Sequence, residues 1–410
     1  MIFEEITTTE FDAFARKHPL HNFMQTSQMG EVGKVSGQVS YYVGIREHGE
    51  LIGACRLAGI KNRFGQYFFS AFRGPLLDYN NKEVLSFFTT EVKKFLKLKK
   101  GYELDINPGI IHKERDINGD VVEGGIDNSK VVPLLESLGY QHEGFITEYD
   151  YSRQVRWMFV LDLEGKSETE VFKAMKQNHR NIIKKTEKFF IEIKEVGYDD
   201  LAEYKRITEE TSDRRGFEDK PLAYYQEMYR QFHDNGEVKF LIAYLNVDKY
   251  MESLQTSLAR ESQKYENSKA KNPDSGKTKE LGITVSSLEK RLNEAQELCK
   301  DGHYIPLSAA MFVLFEDEIT YMFSGSYEKY MNFYAQYAIQ WYVIKHGIAG
   351  GFKRYNFYGI SGNFDKSDPD YGVYEFKKGF QGYVLEYLGD FVLPISYYHT
   401  VNKLIQKIKK

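Results

Sequence analysis

The chain has 410 residues, more than one hydrophobic core ordinarily supports, and 55 Lys and Arg against 59 Asp and Glu leave a net charge of −4. That near-balance excludes a uniformly basic nucleic-acid binder but leaves room for a local basic patch. Apolar residues at 42%, aromatics at 15% and only 9 Pro exclude a disordered chain.

The amino terminus, Met1-Ile2-Phe3-Glu4-Glu5, carries acids where a signal peptide needs a basic run. The longest apolar run, Ala309 to Phe315, is far below the roughly 20 residues that span a bilayer. Cys55 and Cys299 make neither a disulfide framework nor a zinc site, which fits a reducing cytosol.

In chain order, Val39–Ile45 and Leu51–Leu57 flank a His48-Gly49-Glu50 turn and read as a β-hairpin, continued by Tyr67–Phe72 up to Arg73-Gly74-Pro75. Leu85, Phe88, Val92 and Phe95 recur at helical spacing, predicting a helix over 82–98. Tyr102–Ile106 reads as a strand stopped by Asn107-Pro108-Gly109. A second unit opens with a strand at Trp157–Leu163 and a single basic helix from Thr169 to Phe189. Strand Ile191–Val196, helices at 201–211 and 222–232, and strand Val238–Leu245 follow. The sheet resumes at Leu307–Phe315 and Glu318–Phe323, and helix 330–346 and strand Arg354–Phe357 close the unit. The order of strands, helix and strands thus occurs twice, as expected of two similar α/β units.

Between the sheet segments, 248–302 changes character. Leu281, Val285, Leu288, Leu292, Ala295 and Cys299 repeat at 4-3-4-3-4, and Asn272-Pro273-Asp274-Ser275-Gly276 supplies a turn. This predicts an antiparallel coiled-coil hairpin inserted into the second unit.

Common catalytic motifs are absent. Gly276-Lys277-Thr278 ends like a phosphate-binding loop, but Lys271 stands where its first glycine belongs, and no G-x-G-x-x-G or G-x-S-x-G occurs. His18 and His21 flank Pro19 without a third ligand, so no metal is expected. The α/β order fits acyl-CoA N-acyltransferases, yet the candidate pyrophosphate loops at Arg46, Arg56 and Gln141 each end in a bulky residue (Leu51, Lys61 and Ile146).

The carboxyl-terminal third carries the strongest signal: Arg354 to Phe364, a strand running into a Gly/Ser turn, then Gly372-Val373-Tyr374-Glu375-Phe376-Lys377-Lys378-Gly379-Phe380. With Arg73-Gly74-Pro75, the Asn107-Pro108 strand end and the inserted hairpin, these residues resemble the Fem family of peptidoglycan cross-bridge aminoacyltransferases over essentially the whole chain. The resemblance implies an α/β (α+β) fold of two acyltransferase-like (GNAT-like) subdomains plus the helical arm. The first subdomain would cover 1–152, completed by about 390–410; the second 153–247 and 303–389; the arm 248–302. It implies transfer of an amino acid from aminoacyl-tRNA, a co-substrate rather than a cofactor, onto a stem-peptide amine of a peptidoglycan precursor. That precursor would be lipid II or a UDP-MurNAc-pentapeptide. The alternatives are an acyl-CoA-dependent N-acyltransferase and a non-catalytic cell-wall scaffold.

The resemblance also assigns residues. Lys377 matches the lysine that stabilises developing negative charge, and Phe376 and Tyr321 match channel aromatics. Lys34 matches the lysine that contacts the precursor phosphates, with Arg215, Arg214 and Lys220 as partner cations and Arg215 the first choice. Where the family often carries Asp before the strand-ending proline, this chain has Asn107, which cannot take a proton at neutral pH. It is expected to position substrate, with Asp105 on the same strand face as the alternative base. Lys173, Lys176, Arg180, Lys184 and Lys185 crowd one predicted helix and form a candidate tRNA face. The basic, amphipathic tail from Lys403 to Lys410 is expected to touch an anionic membrane, making the protein cytoplasmic and peripheral, with its oligomeric state open.

Overall fold

The computed structural model of the protein describes residues 1–148 and 153–409. The first half runs β1 (Ile2–Glu5), α1 (Thr8–Lys17), α2 (Ser27–Lys34), β2 (Val39–Glu47), β3 (Glu50–Lys61), β4 (Tyr67–Phe72), α3 (Lys82–Leu98), β5 (Gly101–Asn107), β6 (Ile111–Glu114), α4 (Val131–Ser137) and β7 (Gln141–His142). The second runs β8 (Trp157–Asp162), α5 (Glu168–Ala174), α6 (Gln177–Glu187), β9 (Ile191–Glu195), α7 (Leu201–Arg215), α8 (Leu222–Phe232), β10 (Val238–Asn246), α9 (Val247–Lys271), α10 (Gly276–Leu298), β11 (Tyr304–Phe315), β12 (Glu318–Ser326), α11 (Ala335–Ala349), β13 (Arg354–Gly359), α12 (Tyr371–Lys378) and β14 (Tyr383–Tyr387). The chain ends with β15 (Phe391–Pro394) and α13 (Tyr398–Lys409).

Local sequence accounts for many boundaries. Thr7 and Glu10 form a reciprocal capping box at the start of α1. The Asn81 side chain accepts the Glu83 and Val84 N–H groups and opens α3, whose Val84, Leu85, Phe88, Val92 and Leu96 form the buried stripe. His48 and Gly49 take positive φ values of 51° and 88°, the twist a two-residue hairpin needs between β2 and β3.

Two sheets result, ordered β1-β2-β3-β4-β5-β15-β7 and β6-β14-β8-β13-β12-β11-β10-β9. Each contains an antiparallel meander followed by a helical crossover to a parallel neighbour: β4 to β5 through α3, and β12 to β13 through α11. The chain exchanges strands between sheets. β6 pairs with β14 in the second, and β15 returns to pair with β5 in the first.

Three large cores hold this together. One packs α3 and α4 on the first sheet, and another packs α6, α11 and the base of the arm on the second. The third lies between the halves, where Phe23, Met24 and Val32 from the α2 region meet Tyr204, Tyr225, Met228 and Phe240. Within the second half, α7 packs tightly on β12 at Gly325, where an added Cβ would sit 2.3 Å from the Ile207 carbonyl oxygen and 2.6 Å from the Thr208 Cα. Gly325→Ala must therefore push α7 off the sheet, and thermal unfolding should show a loss of about 1–3 kcal/mol.

Helix α10 folds back on α9, and all six seam positions from Leu281 to Cys299 are shielded, as are Thr278, Gly282, Arg291 and Leu298, while most of the residues between are exposed. Two predicted helices are corrected. The single helix over 169–189 is two, because Met175 and Lys176 turn extended (ψ 152° and 142°) and the Lys176 N–H donates to the Gly379 carbonyl of a distant segment. The helix expected from Tyr330 is a 3-10 turn, Glu328–Phe333, and α11 begins only after Tyr334, which takes a left-handed φ of 56°.

Candidate functional site

The carboxyl ends of both parallel strand pairs meet at the seam between the halves. At the end of β4 the Arg73 guanidinium, 2% exposed, donates through Nη2 to the Val155 carbonyl at 2.7 Å and lies over the Tyr387 ring at 4.1 Å. Its Nη1 is buried with no hydrogen-bond partner. Phe72, just before it, pairs in register with Asn107 at the end of β5. Asn107 donates Nδ2–H to Asp390 at 2.8 Å, and its Oδ1 accepts nothing. Burial raises the Tyr358 phenol and Arg73 sits close enough to oppose this, and Tyr358, next to the end of β13, takes a left-handed φ of 65°. On the opposite side, Tyr224 of α8 lies beside Tyr358 and Arg56, with the Lys220 ammonium 5.9 Å over its ring.

Lys377 joins this seam from α12. It stands in the last helical turn, 6% exposed, with Nζ donating to the Gly359 carbonyl directly after Tyr358. Burial pushes the ammonium down to about 7, with Asp370 the opposing influence. The preceding residue is held by His179, whose Nε2 bonds the Phe376 carbonyl at 2.9 Å and whose ring fits against Gly379. Burial also lowers His179, so the neutral ring donates from Nε2.

Other predicted residues divide into groups. Lys34 is exposed at the end of α2 and paired with Glu31, and its charge also reaches Glu227 on α8. Arg214 donates to the Ser326 carbonyl at 3.3 Å at the end of β12, and Arg215 and Lys220 are exposed beside it. Lys34 thus faces α8, while Arg214 and Arg215 end α7 and Lys220 leads into α8. Phe376 packs edge-on to Tyr337 at 4.9 Å. Tyr321 stacks on Phe312 at 5.4 Å and donates to Ser324, and like Phe376 it packs part-buried against the second core. Asp105 is raised to about 8 by burial with Glu103, Asp390 and Glu143 nearby, so at neutral pH it holds a proton and enters as a donor.

The broken basic helix changes the expected tRNA face. The Arg180 guanidinium caps the Lys173 and Met175 carbonyls at the end of α5, and Lys176 pairs with Glu375 at 3.1 Å. Lys173, Lys184 and Lys185 remain exposed.

Sequence reasoning gave no role to Arg73, quoted only as part of a motif, nor to a buried cluster under the seam. There Glu386 accepts from Arg115 at 2.7 Å, bonds His112 at 2.9 Å and pairs with Arg156. Its members come from β6, the turn after it, the residue before β8, and β14, so no local pattern marks it.

Chemically, the seam offers a desolvated amine poised between charged and neutral, a buried guanidinium and an amide oxygen without a partner, and α2, α7 and the lead into α8 add exposed cations. Such a set suits a reaction that develops negative charge on an acyl oxygen while a larger anion is held nearby.

The FemAB family model matches residues 6–410. Aminoacyltransferase FemA of Staphylococcus epidermidis is 32% identical over 425 residues, covering 100% of both chains, and that of Staphylococcus aureus (strain N315) is 30% identical over 97% of this chain and 96% of its own. The crystal structure of FemX superposes with a TM-score of 0.78 at 21% identity, covering 99% of this chain and 100% of that one, and so shares the fold.

Proposed function

The chain belongs to the FemAB family and is an aminoacyltransferase; on that premise we propose that it moves an amino acid from aminoacyl-tRNA to the stem-peptide amine of a lipid-linked or UDP-linked peptidoglycan precursor. The observation that carries this reading is Lys377, a buried amine held at the seam by a single backbone carbonyl. A neutral amine of the acceptor attacks the ester carbonyl, the new C–N bond forms, the ester C–O bond breaks, and one amine proton ends on the departing ribose oxygen. The Lys377 ammonium stabilises the oxyanion between these events. Because its ordinary charge is already weakened by burial, negative charge arriving beside it restores the proton's hold. Asn107 Oδ1, buried and without a partner, would accept an N–H of the attacking amine, and with Asp105 protonated the proton would pass through substrate or water.

Lys34 and Arg215 would clamp the precursor pyrophosphate, with Lys220 and Arg214 flanking them. Lys34→Ala with Arg215→Ala should raise the KM for precursor by about tenfold or more while leaving kcat within a few-fold. Steady-state kinetics with a nucleotide-linked precursor checks this, and an unchanged KM would remove both from the clamp. The exposed lysines Lys173, Lys184 and Lys185 and the helical arm are the surfaces we assign to tRNA.

The whole reading is tested by incubating purified protein with a panel of labelled aminoacyl-tRNAs and both precursor types. Label should appear on the precursor in a tRNA-dependent manner. Transfer from no charged tRNA to either acceptor would overturn it.

A further inference from the structure

One edge of the first sheet collects the carboxyl ends of β3 and β15 and the amino ends of β2, β4 and β5. There the chain exposes apolar side chains that the cores do not use: Phe64 at 56%, Leu98 at 83% and Tyr397 at 84%, with Ile60 and Val401 less so. Phe64 does not hang on a loose loop. The Asn62 Oδ1 accepts the Phe64 N–H at 2.9 Å and the Gln66 N–H at 3.0 Å, and Gly65 takes φ 77°, so the turn is tied and Phe64 is held outward. Its ring lies 6.3 Å from Tyr398 at the start of α13, whose ring in turn meets Tyr102 at 5.3 Å. The hairpin tip and the last helix therefore share one surface.

Cations surround these groups. Lys61 and Arg63 flank Phe64, Lys97 and Lys100 flank Leu98, and Lys403 stands exposed on α13. Acids at this edge are already engaged: Glu5 by Lys99 at 2.7 Å, and Glu103 by His399. The side chains of 404–410, where the sequence predicts the amphipathic tail, lie outside the described residues. Exposed aromatic and aliphatic groups ringed by cations that make no ion pair among the described residues match an anionic bilayer, whose headgroups take the cations and whose acyl boundary takes the rings. A nucleic-acid backbone would engage the same cations but offers nothing to Leu98 or Tyr397.

We propose that the β3–β4 turn and the start of α13 form a docking surface for anionic phospholipid. This deepens the proposed function, resting on a lipid-linked acceptor for its purpose. β4 spans six residues from this edge to the seam at Arg73, about 17 Å. Docking here would hold the seam within about that distance of the bilayer.

The test uses the full-length protein and vesicles of phosphatidylglycerol with phosphatidylcholine, against vesicles of phosphatidylcholine alone. Sedimentation should show binding to the anionic vesicles that Lys61→Glu with Arg63→Glu weakens by about tenfold or more, and that Phe64→Ser with Tyr397→Ser weakens separately. Melting temperatures and turnover on a soluble nucleotide-linked acceptor should stay at wild-type values. No binding by the wild type, or binding undiminished in both variants, overturns the proposal. So does the outcome in which the charge reversal weakens tRNA binding and spares vesicle binding. Vesicle binding needs no substrate, so loss of transfer to the soluble acceptor would count against the function and not against this surface.

Discussion

Lys377→Met is expected to lower turnover by about a hundred- to a thousandfold, the scale of losing one oxyanion donor, while the variant melts above the wild type. The two halves of this result have one cause. Burial lowers the Lys377 ammonium from 10.5 to about 7. The unfolded chain binds this proton more tightly, so between about pH 7 and 10.5 it carries more protons than the folded one, and wild-type stability rises with pH across that window. At and below neutral pH the folded lysine carries a destabilisation of about 5 kcal/mol, which methionine of similar volume does not. Against this, the variant leaves the Gly359 carbonyl without its donor, at about 1–3 kcal/mol. A net rise of several degrees in melting temperature at neutral pH should remain, shrinking as the pH approaches 10.5. Thermal scans over a pH series and single-turnover kinetics measure both halves. Unchanged turnover would sink the assigned role, and a lower melting temperature at neutral pH would make the lysine a structural residue.

Glu386→Gln should have the largest effect on stability, a loss of about 3–5 kcal/mol, because it strips the shared counter-charge from Arg156 and Arg115 inside the fold. Arg156 is 8% exposed and lies over the rings of Phe145 and Trp157, so the orphaned charge has no route to solvent without opening β8. The sign with pH follows from Glu386 itself. Its carboxyl is held below 4.5: burial opposes this, but the hydrogen bonds from His112 and Arg115 and the charges of Arg156 and Arg115 prevail. Its contribution is present above 4.5 and is lost as the pH falls through the lower folded value. The wild type should lose stability steeply in that acid window, and the glutamine variant should lack that step. Denaturant unfolding at neutral and acid pH checks both, and equal stability of the two proteins at neutral pH would refute the cluster's role.

How much of this was legible beforehand differs by element. The hairpin at 39–57, the helix at 82–98 and the arm follow from turn residues and apolar spacing, which act over a few residues and survive in any context. The break at Met175 could not be read in the same way, because it is imposed by a hydrogen bond from Lys176 to Gly379, some two hundred residues away. The Phe376-Lys377 run was readable as a motif, but its helix and its burial were not. The stacking of Tyr321 on Phe312 was likewise beyond the sequence, because it joins residues of paired strands.

By itself, the sequence determined the repeated α/β order and the inserted arm, since periodicity and turn chemistry are properties of neighbouring residues, and its likeness to known chains gave the family. It also limited charge to local patches within a net of −4. Only the tertiary structure decided that Arg73, Asn107, Tyr358 and Lys377 share a seam, that Glu386 gathers two arginines and a histidine, and that Phe64 and Tyr397 share an edge. Burial and long-range pairing set the charge state of Lys377 and the exposure of Phe64, and both depend on which distant strands and helices pack together.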